Sequence, residues 1–412
     1  MDINQDRLWS DIQELGRIGR SPDGGITRLA FTPQDRQAQD WLEARMRDAG
    51  LAVREDAAGN LIGELCGSRP EKPCVMCGSH YDTVPGGGQF DGTLGILSAL
   101  EAVRRIREQG TVTERTIRLA AFKDEEGSRF GYGMVGSKSI CGILDPEGLT
   151  SVDKDGISLE QAMADYGCRP GQLASCKMED VGTYLELHIE QGPRLDKEPV
   201  NRAAVVTGIR GYLRHKRCRV EGETAHSGAV DYEFRHDAVA ALTDLLYVMN
   251  RHWEAWLHDG KDLVFTCGVI NTPSTADISI ISGDVSFGLD MRSLSMETIR
   301  AFHDLLLEEA AAIEDKRGVK FIFDDVIVGE AARPDAILFN RLVKAAKDHG
   351  IPHLQMASGA GHDAAVMTSA GVSACMLFVA NQNGSHNPHE AMRISDFLSG
   401  AEILMHAVVD YD

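Results

Sequence analysis

Gly78-Ser79-His80-Tyr81-Asp82, followed by Gly86-Gly87-Gly88-Gln89-Phe90-Asp91-Gly92, decides how this chain is read. Cys74-Val75-Met76-Cys77, just before it, reads as a short buried strand, so His80 is expected at a strand end. Leu94, Leu97, Leu100 and Val103 recur at helical spacing over Thr93–Glu108, so Asp91 is expected just ahead of a helix. Glycines between a strand end and a helix start let the backbone come close, and two ligands can then aim at one metal. Asp82 cannot easily point where His80 points. Its expected task is to accept the free ring N–H of His80 and so fix the tautomer.

Working outward, Thr116-Ile117-Arg118-Leu119-Ala120-Ala121-Phe122 is a strand pattern that runs into Lys123-Asp124-Glu125-Glu126-Gly127. Adjacent carboxylates at a strand end are costly unless a cation or solvent neutralises them. Alone this reads as a solvated acidic turn. Beside a His/Asp site, one carboxylate can bind metal and its neighbour can hold the attacking water as general base. Tyr184-Leu185-Glu186-Leu187-His188 places another histidine at the end of a strand-like run, and Ser373–Val379 leads to Asn383-Gly384-Ser385-His386. The candidates His80, Asp91, Glu126, His188 and His386 therefore all fall at strand ends or strand-to-helix turns. In an open α/β sheet, ligands gather at the carboxyl ends of the strands. These residues can divide over two metals about 3.5–4 Å apart. Imidazole and carboxylate without thiolate suit zinc, manganese or nickel.

The 412 residues favour two domains over one core, and 43% hydrophobic content suits globular packing. A formal charge of −20 argues against nucleic acid or an anionic membrane as partner. No apolar run approaches the roughly 20 residues of a membrane span. The N-terminus lacks a signal-peptide pattern, and nine scattered cysteines read as reduced thiols, so a cytoplasmic location is expected. From Tyr212 the pattern changes to β-α-β-β-α-β, a split βαβ arrangement. The expected strands are Tyr212–Glu221, Leu263–Ile270, Asp284–Asp290 and Val319–Val328, with helices His236–His258 and Glu297–Asp315. This small α+β domain is expected over 211–328, inserted into a metal-binding domain formed by 1–210 and 329–412. The fold class is thus α/β, with a mixed, mostly parallel sheet flanked by helices, plus an inserted lid. Residues 143–180 read as an irregular surface excursion with one helix at Ser158–Tyr166.

The motifs together resemble the M20 metallohydrolases, in their amidase branch of N-carbamoyl-L-amino acid hydrolases, allantoate amidohydrolases and β-ureidopropionases. They are His80-Tyr81-Asp82-Thr83-Val84 with Phe90-Asp91-Gly92, Asp124-Glu125-Glu126-Gly127-Ser128-Arg129-Phe130, Glu186-Leu187-His188-Ile189-Glu190-Gln191-Gly192, Ser358-Gly359-Ala360-Gly361-His362-Asp363-Ala364, and Ser385-His386-Asn387-Pro388. The resemblance spans nearly the whole chain. It implies that Asp91 bridges two divalent ions (Zn, Mn, Co or Ni), that His80 and His188 complete one, and that Glu126 and His386 complete the other. Glu125 is implied as general base and His226 as the lid histidine that stabilises the oxyanion. Arg292 matches the arginine that clamps a substrate carboxylate, a task suited to the guanidinium fork. Gln191 and His362 join the expected substrate-binding set. The family's homodimer, with lid domains in contact, is implied as well.

Two stretches depart from the family pattern. Ser227-Gly228-Ala229-Val230-Asp231-Tyr232 follows His226 where a Gly-Thr-Thr-Pro-like run is usual. Ser279 stands where a substrate-binding asparagine is usual, with Asn271 upstream as its possible substitute. The expected activity is hydrolysis of an N-carbamoyl-L-amino acid to the amino acid, carbon dioxide and ammonia. Cleavage of allantoate or of another N-acyl amino acid is the alternative. A dipeptidase and a non-catalytic metal-binding homologue are less favoured. Glycines at both crossings into the insert, near 208–211 and 329–334, suggest lid movement.

Overall fold

The computed structural model describes residues 2–200 and 202–411. By contacts between residues the chain divides into two compact units, Met1–Thr207 with Arg333–Asp412, and Gly208–Ala332.

The first unit is built on an eight-stranded sheet. Its spatial order is Ala52–Glu55, Leu61–Leu65, Ile117–Phe122, Cys74–His80, Val181–Ile189, Ser373–Val379, Ala203–Ile209 and His353–Ser358. The middle four strands run parallel, and the pairings of Leu61–Leu65 and Ala203–Ile209 to them are antiparallel. Cys74–His80 is buried along its whole length, as a strand flanked on both sides and covered on both faces should be. The helix Thr93–Glu108 carries Leu94, Leu97, Leu100 and Val103 into a core shared with Val75, Leu119, Leu187, Leu377 and the C-terminal helix residues Phe397 and Leu404. Because the four central strands share one direction, their carboxyl ends collect at one edge. His80 closes the first, Lys123–Glu126 follow the second, His188 lies near the end of the third, and the loop to His386 follows the fourth.

Three features differ from the expectation. Residues 143–180 do not merely run over the surface. Leu159, Ala162, Met163, Cys168 and Cys176 pack with Phe31, Phe130 and Val135 in a satellite core. His353–Ser358 is an additional strand at the sheet edge, and its half-exposed polar residues hid it from an apolar-run reading. The single strand expected over Val319–Val328 is two short ones, Lys320–Ile322 and Ile327–Gly329, and both pair with Gly211–Glu221.

The second unit has the order β-α-β-β-α-β. Its antiparallel sheet runs Lys320–Ile322, Gly211–Glu221, Asp284–Ser293, Val264–Asn271. The helices Ala238–His258 and Met296–Arg317 pack on it through Leu242, Leu245, Met249, Phe302 and Leu306. Asp237 and Ser295 cap them, accepting from the amides of Ala240 and Thr298 at 3.0 and 3.1 Å. Among the described residues no helix is long and apolar enough to cross a membrane.

Candidate metal centre and acid pair

The site is assembled around Asp91, whose two carboxylate oxygens face different histidines. Oδ1 lies 3.1 Å from His188 Nε2 and 3.8 Å from His80 Nε2. Oδ2 lies 3.3 Å from His386 Nε2, which is itself 3.5 Å from Glu126 Oε1. Glu125 Oε2 stands 3.8 Å from His80 Nε2. Donor atoms of His80, Asp91 and His188 lie within 4.8 Å of one another, and so do those of Asp91, Glu126 and His386. This closeness depends on Gly92. Its φ is +63°, and a Cβ there would sit 2.5 Å from Cε1 and Nε2 of His80. Only glycine lets the helix begin so near the ring.

Two buried atoms bear on whether a cation fits. Asp91 Oδ1 and His188 Nε2 have no hydrogen-bond partner, although they face each other across the same gap. Buried polar groups are almost always satisfied, so a gap between two that are not suits a cation held between them. The charges point the same way. Burial, then the neighbouring Glu126, pushes Glu125 well above the usual carboxylate range. Burial and Asp91 raise Glu126 to about 8. For Asp91 burial acts in the opposite direction to His188 and His386, and the histidines hold its carboxyl well down. These residues could hold two divalent ions, and the donor set is imidazole and carboxylate only.

The surrounding contacts fix these side chains. The Nδ1–H of His80 donates to the backbone carbonyl of Asp82 at 3.1 Å, and that of His188 to the carbonyl of Ile189 at 3.0 Å. This corrects the expectation for Asp82, because its carbonyl rather than its carboxylate takes the ring proton. The carboxylate instead accepts the amides of Glu125 and Glu126, each at 3.1 Å. A buried anion thereby pins the backbone of the acid pair. Gln191, at φ +64°, donates from Nε2 to Asp91 Oδ2 at 3.0 Å, and Ser385 Oγ donates to the same oxygen at 2.7 Å. His386 is also left-handed, at φ +59°. Such backbone conformations in non-glycine residues tend to gather at functional sites. His362 is buried, with Nε2 2.9 Å from Ser358 Oγ and its ring edge-on to His188 at 4.5 Å. The structure thus sets His362 directly against His188, and it is buried to the same degree as His188 and His80.

Sequence reasoning missed Lys123. It is fully buried two residues before Glu125, with Nζ donating to Asp35 Oδ2 at 2.7 Å, Gln39 Oε1 at 2.8 Å and Tyr166 OH at 2.7 Å. The Tyr81 hydroxyl is a further partner. Tyr81 sits between His80 and Asp82, so this ammonium ties two of the strand ends to the helix Pro33–Asp48 and to the satellite core. The one available signal was a lysine closing an apolar strand. Lys123→Met is expected to lose about 3–5 kcal/mol, because Asp35 is left buried and unpaired. A urea denaturation midpoint close to that of the parent would refute this.

The remaining candidates lie in the second unit. His226 is exposed, and its Nδ1 accepts the amide N–H of Gly228 at 3.1 Å. In the neutral ring the proton therefore sits on Nε2. Arg292 Nε donates to Asp290 Oδ2 at 2.7 Å, and Arg214 holds the other oxygen at 2.8 Å. Ser279 is adjacent to the histidine, since Ile280 pairs with His226 and the Ser279 carbonyl accepts from Ser227 N at 2.9 Å. Asn271 instead ends the strand Val264–Asn271, opposite Ser286.

The chain is similar to known proteins along nearly its whole length. The chain is 38% identical over 409 residues to an N-carbamoyl-L-amino acid amidohydrolase of Geobacillus stearothermophilus, covering 98% of each protein. It is 33% identical over 382 residues to an allantoate amidohydrolase of Bacillus subtilis, covering 92% of this chain and 91% of that one. A solved amidase of the hydantoinase/carbamoylase family from Burkholderia multivorans superposes with a TM-score of 0.92 at 30% identity, covering 99% and 98% of the two chains. The model of peptidase family M20/M25/M40 matches residues 76–410, and the chain belongs to that family.

Proposed function

We propose that this protein is a binuclear metal-dependent amidohydrolase that converts an N-carbamoyl-L-amino acid to the amino acid, carbon dioxide and ammonia. The observation that carries the reading is Asp91, whose two oxygens face two separate sets of ligands with Glu125 alongside. His80 and His188 would hold one divalent ion with Asp91, and Glu126 and His386 the other. Zinc, manganese, cobalt and nickel suit those donors. When bound, such ions supply Lewis acidity at the substrate carbonyl and lower the pKa of water.

The protein's own groups do the rest. Glu125 takes a proton from the attacking water and delivers it to the leaving nitrogen. Its backbone is held by Asp82, so the carboxylate works from a fixed base. Negative charge that develops on the carbonyl oxygen needs a donor. His226 offers one, because the Gly228 amide leaves the ring proton on Nε2. Arg292 is assigned to the substrate carboxylate, its guanidinium oriented by Asp290. Ser279 adjoins His226 while Asn271 does not, which supports Ser279 as the polar group that replaces the usual asparagine. We further place the homodimer contact on the second unit, whose edge strand Val264–Asn271 exposes Val269 and Ile270, and the protein in the cytoplasm.

A panel of N-carbamoyl amino acids, allantoate, N-acyl amino acids and dipeptides on cation-reconstituted enzyme tests the reading. The highest kcat/KM is expected on an N-carbamoyl-L-amino acid. Preference for allantoate would move the assignment to the ureide branch, and preference for dipeptides would overturn it.

A further inference from the structure

The second unit contains a polar cluster that the proposed hydrolysis does not use. His215 and Cys218 are three residues apart on one strand and should point to opposite faces. A β-bulge changes that. Cys218 pairs with Phe287 and His215 with Leu289, so Lys216 and Arg217 loop outward while both flanking side chains turn into the buried face. The loop that splits the neighbouring strand brings Asp324 over the bulge. Asp324 Oδ2 accepts the amides of Lys216 and Arg217, each at 3.0 Å. Its Oδ1 is left 3.3 Å from His215 Nδ1 and 3.6 Å from Cys218 Sγ. One donor atom from each of the three residues lies within 4.8 Å of the others.

Zinc ligands sit about 2.0–2.3 Å from the ion in a tetrahedron, which places them about 3.3–3.8 Å from each other. The two separations to Asp324 Oδ1 match those edges. We propose that His215, Cys218 and Asp324 form an additional cation site in the inserted unit, for zinc or a similar borderline-soft divalent ion. It has no part in the hydrolytic chemistry.

Two of the three ligands already have an outer support. Asp324 is held by the two bulge amides. His215 Nε2 lies 2.9 Å from His303 Nε2, so a ligating His215 would donate its remaining ring N–H to His303. Metal-bound histidines nearly always have such a partner. Without an ion, the Nδ1–H of His215 turns to the carbonyl of Asp324 at 2.8 Å, and His303 donates to Nε2. Loading therefore moves the His215 proton from Nδ1 to Nε2, moves that of His303 to its outer nitrogen, and releases the Cys218 proton to solvent. Burial pushes the free thiol up to about 12, so Cys218 is inert unless a cation ionises it. Asp324 and His303 are part-exposed, which gives an ion a way in.

Cobalt distinguishes this site from the catalytic one, whose proposed ligands include no thiolate. Titrating the full-length, metal-free protein with Co²⁺ should produce a near-ultraviolet thiolate-to-cobalt charge-transfer band. Cys218→Ser should abolish the band and remove one bound equivalent, leaving the hydrolytic rate of the loaded enzyme unchanged. Asp324→Asn, which keeps an oxygen for the bulge amides, should weaken cobalt binding and shift the band, and serves if the serine variant does not fold. Absence of the band from the parent protein, or its survival in Cys218→Ser, would overturn the site. Neither result bears on the catalytic assignment, which rests on activity and not on this absorption.

Discussion

Glu125→Gln is expected to lower kcat by about 10²–10⁴-fold, the usual contribution of a positioned general base. The substitution keeps the size of the side chain and removes its ability to take a proton. It should leave the ligands in place, because Glu125 is held through its backbone amide by Asp82, and that bond does not involve the altered side chain. His80, Asp91, His188 and His386 are carried by other strand ends, and the backbone of Glu126 is held by its own bond to Asp82, so metal content should match that of the parent. KM should change little, since a proton-transfer group acts in the transition state and not in ground-state binding. Metal analysis together with steady-state kinetics checks both halves. Near-parental turnover with full metal content would remove Glu125 from the base role.

Stripping the divalent ions should abolish hydrolysis, and this is the largest effect expected. Asp91, Glu125 and Glu126 form a buried acid group, and without cations burial drives Glu125 and Glu126 toward protonation. A protonated Glu125 cannot act as a base. Dialysis against a chelator followed by assay is the measurement. Addition of zinc, manganese, cobalt or nickel to the stripped protein should restore the rate, and the order of recovery identifies the ion that works best. Undiminished turnover after verified metal removal would sink the binuclear proposal.

Much of this architecture was readable in the chain because the decisive signals are local. A buried run that stops at a histidine, a glycine turn ahead of a helical pattern, and acids after an apolar strand each reveal a strand end within ten or so residues. The parallel sheet then brings those ends together without further instruction. What could not be read depends on distant partners or on single atoms. Lys123 looks like part of an acidic turn until Asp35, Gln39, Tyr81 and Tyr166 are seen around it. Whether the carbonyl or the carboxylate of Asp82 meets His80 is decided by the path of one turn. The bulge at Lys216 and Arg217 depends on Asp324, which lies more than a hundred residues further along, at separations of 108 and 107 residues. His362 packs against His188 and Phe378, and nothing in its glycine-rich surroundings signals that.

The two amides that Asp82 receives have a consequence for how the enzyme is put to use. Those bonds hold the backbone of Glu125 and Glu126 through groups that the proposed ions do not touch, so that backbone need not move when one divalent species replaces another. The supply of ions around the protein, more than any rearrangement within it, would decide which species is in service.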